Sequence, residues 1–167
     1  MSTPLYWVNK MWPGKLALAA RPRGGDWLED EMSAWRCSGV DIVLSLLTPE
    51  EEADLDLQAE EGEAKAHGLE FWSFPIRDRE VPRSEGELAS TLERIDHALT
   101  AGKNVVLHCR QRVGRTGLVA ACMLVSKGIA PDTAVRTLSE VRGATIPETP
   151  NQRHWIDHYA VTTAHAK

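Results

Sequence analysis

The sequence predicts an α/β fold: a single domain whose central, largely parallel sheet of about five strands carries helices on both faces. Three observations point there. Short apolar runs alternate along the chain with stretches of helical spacing. Two of the runs, Ile42-Val43-Leu44 and Val105-Val106-Leu107, are apolar at consecutive positions, as strands buried on both faces are. The length, 167 residues, suits one unit spanning 1–167 with a core of its own.

Strands are expected at 5–8, 15–19, 41–46, 69–74 and 104–108. Helix starts are marked by capping-box pairs: Asp26 with Glu29, Thr48 with Glu51, Ser84 with Glu87, and Thr149 with Gln152. Pro49 and Pro150 occupy the first helical position of two of them, and Pro131 marks a further start. Apolar residues then recur at helical spacing. Leu28, Met32 and Trp35 precede a stop at Gly39. Leu88, Leu92, Ile95 and Leu99 precede Gly102. Ala134, Leu138 and Val141 precede Gly143, and Trp155, Ile156 and Tyr159 follow Thr149. A weaker helix is expected over 49–67, with Gly62 inside it. The stretch 118–125 is apolar all round and reads as a central helix, with Cys122 in the core. Packing is the expected role of most of the six tryptophans.

Composition narrows the classes. Hydrophobic residues make up 43% and charged residues 26%, the profile of a soluble globular chain. The net charge of −5 argues, at face value, against binding nucleic acid. No apolar run is long enough to span a membrane, and the N-terminal residues do not read as a secretory signal. Cys37, Cys109 and Cys122 offer neither a disulfide framework nor a zinc pattern, so a reducing cytoplasm is the expected setting. His154 and His158 have metal-binding spacing without a third ligand, and a solvated helix face is the simpler reading.

In a parallel sheet, ligands sit beyond the carboxyl ends of the strands. The richest such segment is His108-Cys109-Arg110-Gln111-Arg112-Val113-Gly114-Arg115-Thr116-Gly117. It holds a thiol between a strand end and a helix start. The helix terminus supplies N–H donors and partial positive charge, and Arg115 adds a full charge. Such surroundings favour thiolate and form a cup for a tetrahedral anion. A small buried cysteine at a strand end would explain the thiol alone, but not the residues around it.

These residues, His-Cys-x5-Arg-Thr-Gly, resemble the phosphate-loop signature of the cysteine-dependent protein tyrosine phosphatase superfamily. The match looks closest to its compact dual-specificity group and covers roughly residues 40–160. Rhodanese-type sulfurtransferases are the nearest competitor, but their loop places Arg at the fifth position after Cys, which here is Gly114. The resemblance implies phosphomonoester hydrolysis through a phosphocysteine, without metal or cofactor. Cys109 is then the nucleophile. Arg115 binds phosphate together with the loop residues Arg110, Gln111, Arg112, Val113 and Gly114. Asp78, in a Pro-Ile-x-Asp segment, is the general acid, with Glu80 in reserve. Thr116 donates to the sulfur, and His108 orders the loop. The family's usual glycine at the third position after Cys is Arg112 here.

Several readings stay open at this stage. Gln152 either caps a helix or orients the hydrolytic water. Cys37 or Cys122 pairs with Cys109 or does not. The substrate is a phosphoprotein (phosphotyrosine, with phosphoserine and phosphothreonine), or a phosphoinositide or other phosphoester, or the domain binds phosphate without turnover. A monomer is expected. Residues 50–63 hold eight acids and no base, while Arg77, Arg79, Arg83, Arg110, Arg112 and Arg115 cluster in the two candidate loops. The arginines are either solvated loop charges or, where several face the cleft, a cationic mouth that steers anions.

Overall fold

The structure, a computed structural model, describes residues 2–8, 11–110 and 113–166. Five strands form one sheet: β1 (Tyr6–Trp7), β2 (Leu16–Ala19), β3 (Ile42–Ser45), β4 (Glu70–Ser73) and β5 (Val105–His108). Their order is β1-β2-β5-β3-β4. Only β1 runs antiparallel to its neighbour; β2, β5, β3 and β4 are mutually parallel. The expected fold class is the observed one.

The consecutive apolar residues of the strands divide between two cores. Leu16, Leu18, Ile42, Leu44, Val105 and Leu107 face one side. Ala17, Ala19, Val43 and Val106 face the other. Successive strand side chains point to opposite faces, so a strand covered on both sides has no polar position to spare. The first layer comprises α4 (Glu85–Thr100), α5 (Gly114–Ser126), α6 (Pro131–Arg142) and α7 (Pro150–Ala166). The second is built on α1 (Leu28–Cys37) and α3 (Glu60–Ala66). Helix α2 (Pro49–Asp54) lies between β3 and α3 in the chain.

Three local expectations need correction. Asp26 does not cap a helix. The chain makes a 3-10 turn at Gly25–Trp27, pinned by the Gly25 N–H to Asp56 O at 2.9 Å, and α1 starts only at Leu28. The weak helix over 49–67 is two helices. It breaks after Asp54, where Leu57 turns inward and is fully buried and Asp56 takes a left-handed φ of 56°. The central helix starts at Gly114 rather than 118, so Arg115 and Thr116 belong to its first turn.

The other helix signals are present. Thr48 and Glu51 form a complete capping box, Ser84 accepts from the Glu87 N–H at 3.2 Å, and Thr149 and Gln152 exchange hydrogen bonds at 3.1 and 3.2 Å.

Candidate active site

Three chain segments meet beyond the carboxyl end of the parallel strands. His108 ends β5, and its carbonyl accepts from Leu46 N–H at the end of β3. Ile76 N–H in turn donates to Leu46 O at 3.0 Å, which seats the segment carrying Asp78 beside the other two. The sheet therefore brings together the loops after β3, β4 and β5.

Cys109 is 2% exposed, and its Sγ lies 3.8 Å from Thr116 Oγ1. Thr116 sits in the first turn of α5 and is itself fully buried. Burial pushes the Cys109 thiol above its ordinary value. The N–H groups of Thr116 and Arg110, the Arg115 charge and the Thr116 hydroxyl work against that shift without reversing it. Burial thus works against the expected preference for thiolate. The missing ingredient in that expectation is the depth of burial, and Arg115 brings a partner of its own.

That partner is Glu51. Arg115 Nη1 donates to Glu51 Oε1 at 2.6 Å and Nη2 to Oε2 at 3.0 Å, a two-pronged pair with both side chains buried. Nη1 also donates to Ile76 O at 2.8 Å, and Nη2 reaches Asp78 Oδ1 at 3.3 Å. Four donor directions of the guanidinium are engaged, and its charge is shared between two carboxylates. Burial alone would raise Glu51, but Arg115 and the Thr48 backbone and hydroxyl hold it below the usual carboxylate range.

Asp78 meets Arg115 as the sequence placed it, with its side chain 54% exposed at the mouth. Glu80 contributes its carbonyl, which accepts from Gln152 Nε2 at 3.1 Å. Gln152 is fully buried. Its Oε1 accepts from the N–H groups of Glu148 and Thr149 at 3.2 and 3.1 Å. It caps α7, and it also lies directly against the phosphate-loop segment. A Cβ built on Gly114 would meet Gln152 Oε1 at 2.7 Å and Glu148 Cβ at 2.9 Å, so a larger residue there forces that segment to shift. Gly117 is equally constrained, with Ile146 Cγ2 at 2.5 Å from a notional Cβ.

Val113 is the N-cap residue of α5, and Arg110 is partly exposed, 3.9 Å from Glu51. Gln111 and Arg112 lie outside the described residues. No disulfide joins the cysteines, all three of which are described; Cys37 is exposed and Cys122 is buried in the core. His158 pairs with Glu85 at 2.7 Å.

Among the described residues the mouth is of mixed charge. A cavity of 430 Å³ is lined by Thr48, Glu50, Glu51, Arg77, Asp78 and Arg110. An adjoining one of 360 Å³ adds Glu80 and Arg83. Arg79 is paired with Glu148. The acidic stretch also supplies two buried side chains. Glu51 clamps Arg115, and Glu60 is buried against His108, with Nε2 to Oε2 at 2.6 Å. Sequence reading missed both roles. The Thr48–Glu51 box did mark Glu51, but nothing in the local pattern sets apart the two acids of the run that turn inward.

A family model described as "Polymorphic toxin system, DSP-PTPase phosphatase" matches residues 18–129. Human cyclin-dependent kinase inhibitor 3 is 32% identical over 97 residues, which is 55% of this chain and 44% of that protein. The chain thus spans under half the length of the curated relatives it matches. Among solved structures, kinase associated phosphatase superposes with a TM-score of 0.89 at 19% identity, covering 98% of this chain and 97% of the other. Tk-PTP in its active form gives 0.74 at 25% identity, covering 89% and 92%.

Proposed function

The chain belongs to the DSP-PTPase phosphatase family, and from that premise we propose that it hydrolyses phosphomonoesters through a phosphocysteine intermediate. The observation that carries this reading is the meeting of Asp78 and Arg115, at 3.3 Å, in front of a β5–α5 junction that holds Cys109. An acid, an anion binder and a nucleophile converge there from separate segments.

The substrate phosphoryl group enters at the N-terminus of α5, where loop N–H groups and Arg115 bind its oxygens. A phosphate oxygen takes the place of Asp78 on Nη2, which frees the Asp78 carboxyl to meet the leaving oxygen. The Cys109 thiolate attacks phosphorus, and Asp78 gives the leaving group its proton. Water then attacks the phosphocysteine, with Asp78 taking a proton and the Thr116 hydroxyl easing the departure of sulfur. No step calls on a metal or cofactor. Gln152 has one amide hydrogen left after its three hydrogen bonds, enough to orient that water without giving up its cap.

The substrate is a phosphoprotein, carrying phosphotyrosine and also phosphoserine or phosphothreonine. The names of the relatives, a kinase inhibitor and a kinase associated phosphatase, support a protein substrate. The unit 1–167 acts as one phosphatase-like domain, monomeric, in a reducing cytoplasm. None of the helices in the described residues is long and apolar enough to cross a membrane.

Purified protein should hydrolyse an aryl phosphate in the presence of a chelator, with vanadate inhibiting. Phosphopeptides should be turned over faster than phosphoinositides. Metal-dependent turnover, or full activity in Cys109→Ser, overturns the mechanism; preference for the lipid overturns only the substrate assignment.

A further inference from the structure

A second cavity adjoins the one at the mouth of the site, and the reaction proposed above makes no use of it. Its volume is 360 Å³, and it shares Thr48, Glu50 and Arg77 with the 430 Å³ cavity that Asp78 and Arg110 line. Its apolar walls are Pro49, at the start of α2, and Pro75, Ile76 and Val81 of the segment after β4. Ile76 is 2% exposed, and both of its backbone groups are held. Its N–H donates to Leu46 O at 3.0 Å, and its carbonyl accepts from Arg115 Nη1 at 2.8 Å. The anion-binding arginine is thus bonded directly to a wall of the second cavity. Just ahead of Val81, the Glu80 carbonyl is tied to Gln152 Nε2 at 3.1 Å. Backbone hydrogen bonds therefore hold the cavity open at both ends of the segment, as preformed ligand sites require.

Four charged side chains stand on its rim: Glu50, Arg77, Glu80 and Arg83. All four are exposed, and among the described residues none of them makes an ion pair or a side-chain hydrogen bond. Their formal charges cancel. A polyphosphorylated inositol would bring its further phosphates against two carboxylates, so the rim does not suit it. An extended peptide does suit it. Backbone N–H groups can donate to Glu50 and Glu80, and backbone carbonyls can accept from Arg77 and Arg83. Inside the rim, the two proline walls offer no N–H, so the inner surface favours an apolar side chain. In an extended chain, a side chain two residues along returns to the same face. We infer that this cavity is a specificity subsite for a peptide segment, taking an apolar side chain two residues from the phosphorylated one. The rim charges hold the peptide backbone between the two cavities.

The inference deepens the phosphoprotein reading and rests on it. The test is a set of phosphotyrosine peptides with alanine at every flanking position, each position then replaced in turn by leucine, aspartate or lysine. Leucine at one position two residues from the phosphotyrosine should raise kcat/KM about tenfold over alanine, and aspartate and lysine should not. Val81→Asp puts a charge on the apolar wall, and the leucine advantage should fall away. Should that variant not fold, Pro49→Asp, at an exposed position, should give the same loss. Equal turnover of the leucine and alanine peptides at every position overturns the inference. So does a leucine advantage that survives in a folded wall variant, a preference for aspartate at that position, or faster turnover of a polyphosphorylated inositol lipid than of the best peptide. Absence of aryl phosphate hydrolysis by the unmodified protein would instead count against the phosphatase reading. Affinities of the same peptides, read by fluorescence anisotropy, then decide the subsite: a leucine preference supports it, and equal values overturn it.

Discussion

Glu51 Oε1 accepts from Thr48 and Arg115 at once: the N–H of Thr48 at 3.1 Å and its hydroxyl at 3.3 Å, and Nη1 of Arg115 at 2.6 Å. One carboxylate therefore caps the start of a helix and aims Arg115. Glu51→Gln leaves an amide that can still cap α2 but cannot pair with the guanidinium. Breaking a buried ion pair from one side costs about 3 kcal/mol. Urea unfolding should show a loss of that order, and kcat/KM for an aryl phosphate should fall with it. Unchanged values of both would mean that Arg115 is aimed by other contacts.

Acid should loosen the fold by the same link. Glu51 and Glu31 both stand below their ordinary value of 4.5 in the folded chain. Burial would raise Glu31, but Thr3 and Arg23 hold it down through side-chain and backbone contacts. A carboxyl lowered on folding adds stability that is present above its unfolded value and is lost as pH falls through the folded one. Thermal midpoints should hold from pH 7 to about pH 5 and drop below pH 4.5. In Glu31→Gln the acid-dependent part of that drop should shrink.

Gly117→Ala puts a methyl group where Ile146 Cγ2 already stands. Overpacking of this kind costs about 1–3 kcal/mol. The thermal midpoint should fall, and Ile146→Val in the same chain should restore part of the loss. A neutral Gly117→Ala would show that the Ile146 segment moves aside freely.

Asp78→Asn should lower kcat by about 100-fold or more, the usual worth of a general acid. KM should change little. The loss should shrink for aryl phosphates whose leaving group is already a weak base. Equal losses across such a series would place the acid elsewhere, with Glu80 the next candidate.

Much of the site was legible because its signals are local. The order His108, Cys109, Arg115, Thr116 is a feature of one loop, and the paired apolar runs at 42–44 and 105–107 fix the sheet beneath it. The start of α5 was misplaced because Arg115 and Thr116 break the apolar pattern, although both are buried. The roles of Glu51 and Glu60 depend on contacts across the fold, with Arg115 and His108 far along the chain. In an acidic run every carboxylate looks alike, and only tertiary packing separates the buried two from their solvated neighbours. The cationic mouth is met only in part for the same reason, since acids from α2 and from the Asp78 segment line the cavities together with Arg77, Arg83 and Arg110.

The braces on the segment that carries Asp78 bear on timing. Gln152 ties the carbonyl of Glu80 to the first turn of α7, and Arg79 ties to Glu148 just ahead of it. Such a segment does not swing as an independent flap. Motion of its backbone away from Arg115 has to release both of these contacts. Relaxation rates measured in this segment and at the start of α7 should therefore share one barrier, and that barrier sets an upper bound on turnover whenever chemistry is fast.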